Sequence, residues 1–276
     1  MKIENKKRLL LLGKIILSII TFCGLDLLYD FIPLDSISTR LLFVVDGGFD
    51  ILIGLIFLVL FVKVIDREKI ITSDWFSLQN RVKDFFIGGL IGSICIFLGF
   101  LIIINSNWNQ VETGYLRFDY LLGSLFLFLC VAFLEESVFR GYMLRKLLEK
   151  FSPIVSLTLS SLIFSLLHCF NEEITILSII NIFFIGLLLG MLFLKTKNIW
   201  LVVGLHCLWN YVQSILGFNV SGGEYPRVLY LNFEHMNLFN GGYFGFEGSY
   251  VCTIIILWAL CFSYKKNNRL LFPKSR

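Results

Sequence analysis

Two adjacent carboxylates, Glu135 and Glu136, close an otherwise apolar run that reads Leu127, Phe128, Leu129, Cys130, Val131, Ala132, Phe133, Leu134, and a guanidinium follows at Arg140. Charged side chains in hydrocarbon cost on the order of several kcal/mol unless they face a cavity or one another. At i and i+4, Glu136 and Arg140 share a helix face with the glutamate on the N-terminal side, the favourable order for an ion pair. Glu135 is turned by about 100° from Glu136, so the pair divides into one anchored and one available carboxylate. A plainer reading makes all three a charge cluster at the end of a span, since a basic loop begins nearby at Arg145. Histidine is scarce. Of His168, His206 and His235, the first two lie in apolar runs, where Phe164 with His168 and His206 with Asn210 are i, i+4 pairs sharing a face. One such histidine reads as a hydrogen-bonded packing residue. Two of them with a carboxylate pair on a third helix supply the groups that acid–base chemistry requires. His235, beside Glu234 in a long polar loop, reads as solvated.

The elements that must position these groups follow from composition. The 276 residues are 57% hydrophobic and 16% charged, with a mean hydropathy of +0.81, well outside the range of soluble domains. Apolar runs at about 9–31, 42–64, 85–104, 120–144, 154–170, 174–194, 199–218 and 250–264 are at or near the ~20 residues that cross a bilayer. The expected fold is therefore all-α, a polytopic integral membrane protein with about eight transmembrane helices. Lysine and arginine alternate between loops, 19 on one side against Arg40, Arg117 and Arg227 on the other. By the positive-inside rule both termini are cytosolic and the protein sits in the cell membrane as a multi-pass chain. The net charge of +4 thus reports topology, with no nucleic-acid partner implied. The first run is too long for a cleaved signal peptide and stays as an anchor. It carries Lys14, Asp26 and Asp30, which must snorkel, pair or line a cavity. Asp46 and Asp50, one turn apart near the outer end of the second run, read as interfacially solvated. Seven scattered cysteines without a C-x-x-C pair read as packing residues, and Gly88 with Gly92 and Gly186 with Gly190 give G-x-x-x-G spacings for close helix approach.

The set E-E-x-x-x-R, F-x-x-x-H and H-x-x-x-N on separate spans, from Glu135 to Asn210, resembles the CPBP family of intramembrane endopeptidases, which includes type II CAAX prenyl proteases and bacteriocin-processing and self-immunity proteins. The stretch Gly217, Phe218, Asn219, Val220, Ser221, Gly222 also looks like that family. The resemblance implies a glutamic endopeptidase with catalytic residues Glu135, His168, His206 and Asn210. Glu135, assisted by His168, would activate water, and His206 and Asn210 would donate to the oxyanion. Glu136, Arg140 and Phe164 would support them. The apolar runs divide into two N-terminal spans with a cytosolic loop (1–84) and a six-span region (85–276), within which the resemblance places the catalytic core at about 119–222. The substrate would be a membrane-embedded or lipidated peptide in the bilayer, with no cofactor.

Other readings use the same residues. One glutamate and two histidines also form the ligand set of hydrolytic zinc sites, although no H-E-x-x-H helix is present. A transporter or proton-coupled channel, or a non-catalytic immunity or scaffold protein, would use them without hydrolysis; no internal repeat favours transport. Depth poses a difficulty. At ~1.5 Å per residue from the cytosolic ends near Leu144, Ile154 and Ile199, Glu135 lies about 13 Å deep, His206 about 10 Å and Asn210 about 16 Å, but His168 about 21 Å. The site closes only if a span is tilted, broken or starts deeper.

Overall fold

The computed structural model describes residues 2–28, 31, 39–68, 81–106, 109–114 and 117–265. Asp30, Lys69 and the basic tail from Lys266 lie outside the described residues, as do the side chains of Lys2, Asp26, Arg40 and Lys265.

Every apolar run forms a helix. These are α1 (Lys2–Asp26), α2 (Thr39–Leu58, continued by a π-helical stretch Val59–Ile65), α3 (Val82–Ile104), α4 (Phe118–Glu136, continued by a π-helical stretch Ser137–Leu144 and the short α5, Arg145–Leu148), α6 (Pro153–Leu167), α7 (Ile176–Thr196), α8 (Ile199–Ile215) and α9 (Tyr250–Lys265). Among the described residues, six of the helical segments are long and apolar enough to cross a membrane, while α8 and α9 are shorter apolar helices. The chain is an all-α multi-pass membrane protein. Its boundaries have local causes. Ser152 caps α6 ahead of Pro153 in the first turn, Thr175 and Ser178 form a reciprocal capping box on α7, and Asn198 accepts from Trp200 N–H at 3.0 Å to start α8 directly after α7.

Among the described residues, one small sheet interrupts the helical pattern. β1 (Asn109–Thr113) pairs antiparallel with β2 (Leu229–Phe233), Val111 opposite Leu231. It ties the α3–α4 connection to the long α8–α9 connection, at the end of the bundle away from the basic loops. Alternation in Leu229, Tyr230, Leu231, Asn232, Phe233 matches the half-buried, exposed pattern of this strand.

Packing is closest between α3 and α8. A Cβ on Gly92 would sit 2.5 Å from the Leu205 carbonyl oxygen, and one on Gly88 or Gly204 would enter the carbonyls of Leu201 and Phe85. The first G-x-x-x-G spacing therefore seats α3 on the helix that carries His206 and Asn210. Gly204→Ala is expected to lower the melting temperature in detergent, with a destabilisation of about 1–3 kcal/mol from overpacking. Gly48→Ala, at a glycine with open space around it, should leave the melting temperature unchanged or raise it.

Lys14, the cation of the first span, pairs with Asp66. Asp66 also meets Lys146 at 3.1 Å, and Lys146 reaches Glu68 at 2.5 Å and Glu149 at 2.9 Å, with Arg145 on Glu68 at 2.8 Å. Desolvation would raise the Asp66 carboxyl, yet the ammonium groups of Lys14 and Lys146 outweigh it and hold the carboxyl below its ordinary value. This network joins α1, α2 and α5 at the basic end. Cys95, Cys130, Cys207 and Cys252 are buried as free thiols, and Cys261 is exposed.

Candidate active site

The carboxylate pair separates as its helical spacing dictates. Glu136 is fully buried, and its Oε1 accepts from Arg140 Nη1 at 2.7 Å and from His206 Nδ1 at 2.9 Å. Arg140 is held further by a bond from Nη2 to the Gly186 carbonyl at 3.3 Å and lies 4.5 Å from the centre of the Phe164 ring. The second G-x-x-x-G glycine thus opens its backbone to the guanidinium as well as letting α7 approach Ser161 of α6. Glu135 instead faces a cavity of about 440 Å³, with 19% of its side chain exposed. Its Oε2 has no hydrogen-bond partner among the described residues and sits 3.8 Å from His206 Nε2.

The same cavity is lined by His168, His206 and Asn210. The structure therefore gathers all four residues singled out as catalytic, with Glu136, Arg140 and Phe164 packed directly behind them. The depth difficulty resolves through element lengths. α4, the π-helical stretch and α5 run unbroken from Phe118 to Leu148, which moves Glu135 to about 20 Å from that end, against about 22 Å for His168 from Pro153. α8 starts inside the bundle, with Asn198 and Ile199 at 1% and 0% exposure. His168 itself stands at the end of α6, where the helix tightens into a 3₁₀ turn, His168–Phe170.

Ring partners fix proton positions. A carbonyl only accepts, so the 2.8 Å contact of His168 Nδ1 with Phe164 O places hydrogen on Nδ1 and leaves Nε2 as the acceptor. His206 Nδ1 donates to the Glu136 carboxylate, so its Nε2, toward Glu135, carries a proton only in the imidazolium form. Phe164 sets its ring 4.7 Å from His168, tilted by 58°, and 6.4 Å, edge-on, from His206.

Several cavity residues are not among those singled out from the motifs. Asp50 of α2, expected at the interface, lines the cavity, as do Phe22 of α1, Asn171, Glu172, Ser221 and Tyr225. Behind the loop, Glu247 is buried and accepts from Gln213, Trp209 and Ser221 N–H. Desolvation raises its carboxyl above the ordinary value, and these donors only partly counter it. His235 is exposed, as expected. Glutamate with two imidazoles is a donor set that suits zinc, but among the described residues no group of three His, Cys, Asp or Glu side chains is gathered closely enough to hold a metal ion.

No curated protein and no solved structure matches the chain. A family model does match: residues 117–212, which run from the start of α4 into α8 and contain all three motifs, fit the description "Rce1-like: Type II CAAX prenyl endopeptidase Rce1-like". This segment of a multi-pass membrane protein is thereby similar to the Rce1-like type II CAAX prenyl endopeptidases, a match consistent with the CPBP family.

Proposed function

We propose that the protein is an intramembrane endopeptidase that hydrolyses an amide of a membrane-associated peptide with a glutamate-activated water. The observation that carries this reading is the division of labour in the pair: Glu136 is tied to Arg140 and His206, while Glu135 faces the cavity beside both histidines and Asn210. Glu135, with His168 Nε2 as a second acceptor, takes a proton from water, and the hydroxide attacks the substrate carbonyl. The oxyanion is met by the Nε2–H of protonated His206 and by the Asn210 amide. Protonation of His206 balances Glu135 and Glu136 against Arg140 and itself. Protonated Glu135 then returns its proton to the leaving amine, which breaks the C–N bond and restores the carboxylate. Side-chain donors preorganised for an oxyanion contribute roughly 3 to 4 kcal/mol each. Asn210→Ala, which removes one of them and keeps water activation, is expected to reduce turnover by about 100 to 1,000-fold.

The test compares wild type and Glu135→Ala, reconstituted in liposomes, against a library of membrane-inserted peptides with and without prenyl groups. Single hydrolysed amides with wild type alone support the reading; identical products from both proteins overturn it.

Orientation belongs to the same proposal. The cavity is lined by the α6–α7 and α8–α9 connections, at the end opposite the basic loops. With both termini cytosolic, peptide reaches Glu135 from the outer half of the bilayer. Cysteine substituted at Lys6 should react with an impermeant maleimide only after cells are opened, and cysteine at Asn237 should react in intact cells. The reverse pattern would invert the topology.

A further inference from the structure

Ser221 is a non-glycine residue in the left-handed region, with φ 49°, followed by Gly222 at φ 91°. Glycine at 222 has a steric reason, because a Cβ there would enter the Glu172 carbonyl. Position 221 keeps a side chain at a cost of about 1 kcal/mol or more in backbone strain. Its backbone is clamped from both sides: the N–H donates to Glu247 Oε2 at 3.4 Å and the carbonyl accepts from Asn171 Nδ2 at 2.9 Å. Gly222 N–H is held by the Phe244 carbonyl at 2.9 Å. The hydrogen bonds of Ser221 thus run through its backbone, while the residue lines both the main cavity and the narrow recess that continues it past Phe164, His168, His206 and Asn210.

Glu247 is fixed in turn. It is 3% exposed, takes Gln213 Nε2 at 2.5 Å on the same Oε2 and Trp209 Nε1 at 3.3 Å on Oε1. Trp209 and Gln213 flank Asn210 on α8, so one buried carboxylate sets the Ser221 loop against the helix that carries His206 and Asn210. Val220 and Gly223 exchange backbone hydrogen bonds at 3.0 and 2.9 Å around Ser221 and Gly222, a two-residue turn that requires positive φ at both positions, and this turn, fixed by Glu247 and Asn171, sets Ser221 at the wall of the reaction cavity.

Resting on the endopeptidase reading, we propose that Ser221 is a substrate-contacting residue whose hydroxyl donates a hydrogen bond to a backbone carbonyl of the bound peptide next to the scissile bond, and that Glu247 is its positioning residue. The test uses Ser221→Gly, Ser221→Ala and Glu247→Gln in the full-length protein, with KM, kcat and melting temperature measured on one cleaved peptide. Glycine accepts the left-handed backbone without strain, so Ser221→Gly should melt at or above wild type and still raise KM about 10-fold, the loss of one hydrogen bond. Ser221→Ala should show the same KM with the strain retained, and it reads the hydroxyl independently should the glycine variant fold poorly. Glu247→Gln should raise KM, and the double variant with Ser221→Gly should add little, because both act through one hydroxyl. A purely architectural role for Glu247 would instead multiply the two effects and overturn its positioning role. Wild-type KM in both Ser221 variants overturns the contact while leaving the protease reading in place. A wild type that cleaves no more than Glu135→Ala sinks both.

Discussion

Glu135→Gln is expected to give a protein that folds, binds peptide and does not cleave it. The substitution preserves shape and hydrogen-bonding reach but removes the base. In the proposed mechanism the same carboxylate first accepts the proton of water and then delivers it to the leaving amine, so both steps fail together. The loss should reach the upper end of what a positioned acid–base group supplies, about 10,000-fold, or fall below detection. Folding should be spared because Glu135 Oε2 has no hydrogen-bond partner among the described residues that its loss would strand. His168→Ala should approach the same phenotype, and Glu135→Gln combined with His168→Ala should add little to either, since groups acting as one unit on the water are not additive. Chelator should leave wild-type turnover unchanged. Activity that disappears with chelator and returns with zinc alone would replace the glutamate mechanism by a metal-bound water, with glutamate and the two histidines as ligands. Equilibrium binding of an uncleaved peptide to the Glu135→Gln protein separates lost chemistry from lost affinity.

The parts of this fold that were legible in the sequence are those governed by the bilayer and by helical period. Eight apolar runs became eight helices because a spanning segment must satisfy its backbone internally, and the i, i+4 spacing of Glu136 and Arg140 was sufficient to separate an anchored from an available glutamate. Gly88 and Gly92 announced a close approach, though not that α8 would be the partner. Other features depend on contacts between distant segments. Nothing near Lys14 names Asp66, and nothing in the alternating stretch after Leu229 names β1. Helix continuity past Leu144 into the charged Arg145 and Lys146 was hidden because hydropathy marks where lipid ends, not where a helix ends. That difference produced the apparent misfit in depth between Glu135 and His168.

The candidate site shows the same limit. Glu135, His168, His206 and Asn210 stood out as polar residues in apolar helices, a signal that works only inside spans. Asp50 carries the same signal, but its position near an outer end made solvation the simpler reading, and only the packing of α2 on α4 turns it toward the cavity. Ser221 and Glu247 sit in a connection where serine and glutamate are unremarkable. The burial of Glu247 is created by Gln213 and Trp209, which lie 34 and 38 residues away in the chain. The Gly-Phe-Asn-Val-Ser-Gly stretch was noticed through resemblance, whereas its left-handed backbone became visible only in three dimensions.

Glu136→Gln and Arg140→Ala are expected to unfold or strongly destabilise the protein, where Glu135→Gln does not. Both members of the pair are essentially without solvent, at 0% and 1% side-chain exposure. Removing either charge breaks a buried pair and leaves the other with weaker partners, at a cost of about 3 to 5 kcal/mol. In Glu136→Gln the guanidinium keeps the Gly186 carbonyl and the Phe164 ring, which are dipole and quadrupole partners and do not replace an anion. The same change weakens the acceptor of His206 Nδ1, so residual folded protein should also have a misdirected Nε2 and reduced turnover. In Arg140→Ala the loss is larger in volume: Glu136 keeps His206 as a partner, and a void opens among Phe164, Gly186 and the fully buried π-helical stretch Ser137–Leu144. Detergent melting curves for the three variants, with the fraction recovered as a monodisperse species, provide the measurement. Equal losses for Glu135→Gln, Glu136→Gln and Arg140→Ala would show that the two glutamates are energetically equivalent, and the assignment of Glu135 as the free base would fail with that result.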